Sequence, residues 1–177
     1  AMNAFRLNDD VMTDAIFSET PSVDGGQTSA QVFFGALSRI GAAYLMRSPI
    51  GKTKSTVGFL AALQDFVCQW GCPKRLLSDH AGNQSSTSVR NYLRDMYIPW
   101  WQTEAHKQHQ NGCERRWQTV KSLTNRLMDR TDADANTWFF ALTYVIFILN
   151  LTCDPNLGNR NPYFLATGQV GDISPII

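Results

Sequence analysis

Three acidic side chains sit where they could do chemistry together. Asp14 lies inside the apolar stretch Val11, Met12, Thr13, Asp14, Ala15, Ile16, Phe17, and Asp79 ends the stretch Arg75, Leu76, Leu77, Ser78, Asp79. Glu114 follows an Asn111-Gly112 turn signal and opens a run rich in basic and amide side chains: Arg115, Arg116, Gln118, Lys121. Carboxylates brought within a few ångströms repel, and one would take up a proton unless a cation joined them. A divalent ion resolves the conflict. Mg²⁺ takes oxygen ligands and completes its shell with water and substrate phosphate. Two such ions can activate an attacking oxygen and stabilise a leaving one during in-line phosphoryl displacement, with no covalent enzyme intermediate.

The stretch after Asn111 has to be a helix for this to work. Glu114, Gln118, Lys121 and Asn125 recur at steps of four, three and four, which puts them on one polar face. Trp117, Val120, Thr124 and Leu127 form a neighbouring face that can pack on a sheet. An isolated acid on such a helix ordinarily does no more than solvate it; the conjunction with Asp14 and Asp79 makes Glu114 a candidate ligand. Asp9 and Asp10 read as solvated or capping residues ahead of the strand, and Asp24, beside Gly25 and Gly26, as a turn aspartate. His106 and His109 precede the Asn-Gly turn, where they could touch phosphate, orient the loop, or serve as structural histidines.

At 177 residues, with 44% hydrophobic and 18% charged residues, the chain suits one folded domain. A net charge of +1 excludes a strongly basic nucleic-acid-binding domain, so any basic surface is local. Cys68, Cys72, Cys113 and Cys153 read as reduced thiols. A zinc set of Cys68, Cys72, His106 and His109 lacks finger spacing, and its plainer alternative is buried cysteine. The apolar run from Trp138 to Leu151 is shorter than the roughly 20 residues of a membrane span. It reads as a buried helix or a subunit contact.

The elements follow from periodicity and turn residues. Strands are expected at 11–17, 29–34, 43–46, 75–79 and 98–102. Helical spacing joins Phe59, Leu60, Leu63, Phe66, Val67 and Trp70, stopped by Gly71 and Pro73. A second helix carries Val89, Tyr92, Leu93 and Met96 behind an N-cap among residues 85–88. Two more span about 112–130 and 134–151, and an irregular tail begins at Pro155. This order predicts an antiparallel three-stranded meander, then a helical crossover placing the fourth strand parallel to the first and the two aspartates on neighbouring strands.

With Met12-Thr13-Asp14, Leu77-Ser78-Asp79 and Gln110-Asn111-Gly112-Cys113-Glu114-Arg115-Arg116 in place, the chain resembles the integrase catalytic core of Copia-type long-terminal-repeat retrotransposons, within the retroviral integrase and DDE transposase superfamily. Asp79 and Glu114 are 35 positions apart (114 − 79), as the last two acids of that family would be. The similarity runs from about residue 11 to about residue 168. Two departures are His80-Ala81-Gly82, where many relatives have Asn-Gly after the second acid, and Trp117, where a polar residue is common.

The resemblance implies an α/β, RNase H-like fold with a five-stranded mixed sheet flanked by helices. It implies Mg²⁺ or Mn²⁺ held by Asp14, Asp79 and Glu114, and two reactions on DNA: 3′ processing of a cDNA end and strand transfer into target DNA. Lys121 matches a position that contacts DNA ends, with Gln118 one turn earlier; Asn111, His109, Arg115 and Arg116 are further candidate nucleic-acid contacts, the arginines equally readable as solvated helix charges. The expected partners are element and target DNA and a second copy of the chain, with work in the nucleus and in cytoplasmic element particles. Residues 1–177 are expected to form the core alone, without the zinc-binding N-terminal or the C-terminal DNA-binding domain of the family. The competing readings are a catalytically silent binding module and a nuclease for RNA–DNA hybrids.

Overall fold

A computed structural model of the chain describes residues 5–46, 56–78, 86–102 and 112–171. Five strands form one sheet: β1 (Arg6–Phe17), β2 (Ser29–Gly35), β3 (Gly41–Leu45), β4 (Cys72–Ser78) and β5 (Trp100–Gln102), in the order β3-β2-β1-β4-β5. The β1–β2 and β2–β3 pairs are antiparallel, and β4 runs parallel to both β1 and β5. The meander and the parallel fourth strand are thus as the sequence predicts. Among the described residues five α-helices accompany the sheet: α1 (Thr56–Trp70), α2 (Thr87–Asp95), α3 (Gly112–Thr131), α4 (Trp138–Leu151) and α5 (Pro162–Thr167).

Side-chain alternation divides the core into two layers, one on each face of the sheet. Leu7 and Val11 of β1 join Phe33, Phe59, Leu63, Phe66, Leu76, Val89 and Leu93 under α1 and α2. Ile16 joins Ala30, Val32, Phe34, Val120, Leu142 and Ile146 under α3 and α4, with Met12 packed against them. Local chemistry sets the ends of the helices. Gly71 stops α1 at a positive φ of 91°, and any Cβ there would press on Phe5. Ser86 caps α2 by accepting the Val89 N–H.

Several boundaries differ from the sequence expectation. β1 begins at Arg6 rather than residue 11, because Asp9 and Asp10 are neither solvated nor outside the strand. Asp9 is buried, and its carboxylate accepts N–H bonds from Leu37 at 3.0 Å and Ser38 at 2.8 Å and the Ser38 hydroxyl at 2.6 Å. It therefore satisfies the turn between β2 and β3 from below, a capping role at long range. Asp10 pairs with Arg75 of β4 at 2.5 Å. The β1–β4 register shifts between Leu7 and Asp10, next to Pro73, whose ring removes a ladder donor. The tail is not irregular throughout: Asn161 accepts the Phe164 N–H and starts α5, which packs Tyr163 and Ala166 on the α1 side. Cys72 is a core residue, and burial pushes its thiol pKa up, whereas Cys68 is exposed, so the plainer reading of buried cysteine holds for Cys72 and not for Cys68. Among the described residues no helix is long and apolar enough to cross a membrane.

Helix α4 is tied to the sheet edge by one side chain. Asn150 is buried; its Oδ1 accepts the Gly41 N–H at 2.8 Å and its Nδ2 donates to the Gly41 carbonyl at 2.8 Å. Both backbone groups of an edge residue are thereby paired. Asn150→Ala is expected to leave them unpaired and to lower unfolding free energy by about 2–4 kcal/mol, read from urea denaturation. An unchanged midpoint would show that α4 is held by apolar packing alone.

Candidate active site

Asp14 stands near the end of the central strand, opposite Val32 of β2. Met12 and Ile16, two residues to either side, both belong to the layer under α3 and α4, so Asp14 shares the sheet face that α3 covers. It is half-buried, and its Oδ1 accepts the Ala15 N–H at 2.8 Å. The parallel ladder of β1 with β4 ends at Thr13↔Ser78, one residue before Asp14 on one strand and, in sequence, one residue before Asp79 on the other. Asp79 itself lies outside the described residues, as do His80, His106, His109 and Asn111.

Two buried hydroxyl residues reinforce this end of the ladder. Thr13 donates from Oγ1 to the Val32 carbonyl at 2.8 Å and accepts from Gln31 Nε2 at 2.7 Å. Ser78 accepts from Trp100 Nε1 at 2.8 Å, which ties β4 to β5. Sequence reasoning missed both supports, although a signal was there: each candidate aspartate directly follows a hydroxyl residue within an apolar run.

Glu114 is exposed in the first turn of α3, where a negative side chain complements the positive end of the helix. Gln118, Lys121 and Asn125 are exposed with it, while Val120 and Thr124 are buried and Trp117 and Leu127 pack in the layer beneath. The division of the helix into polar and packing faces matches the sequence analysis. Arg115 and Arg116 stand elsewhere. They line a cleft of about 310 Å³ together with Met12, Phe34, Thr119 and Arg39 of the β2–β3 turn. Arg39 has φ 60° and pairs with Asp154 at 2.5 Å. The Asn156 backbone N–H and then the Asn156 and Arg39 side chains hold the Asp154 carboxyl below the usual range. Neither Arg39 nor Asp154 was singled out from the sequence.

The carboxylates of Asp14 and Glu114 offer oxygen ligands only, the donor chemistry that Mg²⁺ and Mn²⁺ take. Among the described residues no three His, Cys, Asp or Glu side chains gather as a metal site, the third acid of the set being outside them.

No protein-family model matches the sequence, and no curated protein matches it. Solved structures do. The magnesium complex of the HTLV-2 integrase catalytic core domain, in its dimeric form, superposes with a TM-score of 0.68 at 12% identity, over 92% of this chain and 98% of that one. The BIV integrase catalytic core domain gives 0.69 at 15% identity, over 91% and 95%. A chain of the simian T-cell lymphotropic virus intasome, in complex with PP2A regulatory subunit B56 gamma, gives 0.73 at 13% identity, over 95% of this chain and 59% of that one. With its mixed five-stranded sheet flanked by helices, the chain has the RNase H-like fold of retroviral integrase catalytic cores.

Proposed function

We propose that the chain is the catalytic core of a DNA strand-transfer enzyme from a Copia-type long-terminal-repeat element. The observation that supports this reading most is the placement of Asp14 on the central strand, on the face that α3 covers, with Glu114 in the first turn of α3. Asp14, Asp79 and Glu114 would hold Mg²⁺ or Mn²⁺, which supplies charge neutralisation at the attacking and leaving oxygens of a phosphodiester. Lys121 and Gln118, exposed on the Glu114 face, would bind the DNA backbone and orient the scissile phosphate, with Asn111 and His109 as further contacts. Lys121 brings one point charge, so its phosphate contact should lower affinity by about tenfold per tenfold rise in salt. The reactions in this reading are 3′ processing by water and strand transfer by the new 3′ hydroxyl. The work falls in the nucleus and in cytoplasmic element particles.

A second copy of the chain fits the outer face of α4. Phe140, Tyr144 and Phe147 are 52%, 48% and 39% exposed at steps of four and three, an apolar stripe on a helix whose other residues are buried or half-buried. Beside it, a cleft of about 480 Å³ between β3, α1, α4 and α5 is lined by Trp70, Phe147 and Tyr163. A self-complementary contact of this kind closes a two-fold dimer.

A branched duplex that mimics a strand-transfer product tests the catalytic reading, because transesterification is reversible. Resolution of the branch in Mn²⁺ is expected, with a loss of about a thousandfold in Asp14→Asn or Glu114→Gln. Activity that survives both substitutions would sink the assignment, and cleavage confined to RNA–DNA hybrids would turn it into a nuclease. For the dimer, light scattering is expected to give twice the chain mass for the wild type and a monomer for Phe147→Glu. A dilution-stable wild-type monomer would remove the α4 contact.

A further inference from the structure

We propose that the cleft between the β2–β3 turn and the first turn of α3 is a phosphate site, in which Arg39, Arg115 and Arg116 together hold one oxyanion. It is distinct from the acidic face of α3. Successive helix positions turn by about 100°, so Arg115 and Arg116 stand roughly 100° and 200° round from Glu114, whereas Gln118 and Lys121 lie within about 40° of it. An anion in the cleft therefore occupies the opposite flank of the helix from the proposed catalytic face.

The arginines are held in a way that calls for a counter-charge. Arg116 is half-buried, and its Nε is sealed from solvent with no hydrogen-bond acceptor among the described residues. Burial first, and the charge of Arg39 second, lower its pKa, while Asp154 acts in the opposite sense. The guanidinium nonetheless keeps its proton. Asp154 is already engaged by Arg39 and by the Asn156 N–H. Among the described residues neither Arg115 nor Arg116 forms an ion pair. Like charges converging beside the apolar Met12 and Phe34 repel in a medium that screens poorly, and a bound anion reverses the sign of that interaction. The planar fork of each guanidinium matches phosphate oxygens.

The approach of Arg39 is built into the turn. The buried Asp9 carboxylate fixes residues 37 and 38, and a Cβ at Gly35 would press on Ser38 Oγ and Asp9 Oδ2, so the turn closes tightly over the strand. Arg39 then leaves it in the left-handed region at φ 60°. The phosphate could belong to a nucleic-acid backbone or be a free inorganic ion; the recognition chemistry is the same.

The test is a titration of inorganic phosphate into the whole chain at constant ionic strength without divalent metal, with chloride as control, following arginine Nε–H resonances by NMR. Saturable shifts are expected at Arg39 and Arg116. Arg39→Gln, Arg115→Gln and Arg116→Gln are each expected to weaken binding by about tenfold, and Arg126→Gln, on the exposed far part of α3, to leave it unchanged. Should Arg116→Gln fail to fold, Arg115→Gln at an exposed position carries the same expectation. Absence of a saturable shift, or affinity equal to that of the wild type in all three cleft variants, overturns the proposal. A second titration with a labelled duplex separates the sources. Displacement of the duplex by phosphate, with weaker duplex binding in Arg116→Gln, identifies a backbone phosphate; phosphate binding with duplex affinity unchanged identifies a free anion. Because no metal is present, a failure of strand transfer leaves this result standing.

Discussion

β1 and β4 run side by side from Arg6↔Cys72 to Thr13↔Ser78, and every other element takes its position from that parallel ladder. Parallel strands need a long connection, supplied here by β2, β3 and α1, and their pairing leaves both sheet faces to be covered. The ladder is braced at two points along its length. Arg75 reaches Asp10 across the pair and lies 5.0 Å beneath the Trp101 ring of the next strand. At the far end Thr13 and Ser78 reach outward, one to β2 and the other to β5, so each of the two strands is held to its outer neighbour by a side-chain hydrogen bond. The partly exposed ion pair contributes little free energy on its own. Buried Thr13 and Ser78 matter more, because an unmet polar group there costs free energy directly. Asp14 is the next residue along β1, so its position inherits the rigidity of that end.

Helix α3 shows how one amphipathic element can serve three surfaces. Its packing face, through Val120 and Thr124, settles on β1 and β2 and fixes the rotation of the helix about its axis. Once that rotation is set, Glu114 is committed to one flank and Arg115 with Arg116 to the other. A helix rotated by one residue would put an arginine where Glu114 now stands. The placement of charge on α3 therefore depends on the apolar contacts of Val120 and its neighbours as much as on the charged residues.

The β2–β3 turn is the second place where packing governs the position of a charged side chain. Asp9 lies in the middle of a strand and is buried, which is costly for a carboxylate unless its oxygens are fully used. They are used, by two backbone N–H groups and one hydroxyl, and the result is a rigid turn that presents Arg39 to the cleft. A charged residue before an apolar run ordinarily marks a strand end. Here the chain continues as strand because β4 pairs with it and the turn 29 residues away supplies hydrogen-bond donors to the carboxylate.

What could be read from the residues alone is what neighbours along the chain encode. The 3.6-residue spacing on α1, α2 and α3, the Gly71 stop, an α2 cap among residues 85–88 and the separation of Glu114, Gln118, Lys121 and Asn125 from Val120 and Thr124 are all short-range patterns, and the structure shows each of them, with Ser86 as the cap. The order of elements also sufficed for the meander and the parallel β4, since chain connectivity permits few sheets. Tertiary structure alone decided the partners of Asp9, the Asn150 clasp on Gly41 and the pairing of Arg39 with Asp154, which span 29, 109 and 115 positions. It also separated the arginines from the acidic face and placed Asp14 on the side of the sheet that α3 covers. Periodicity says which face a residue shares with its neighbours in sequence. Which distant group meets that face is settled only when the whole core packs.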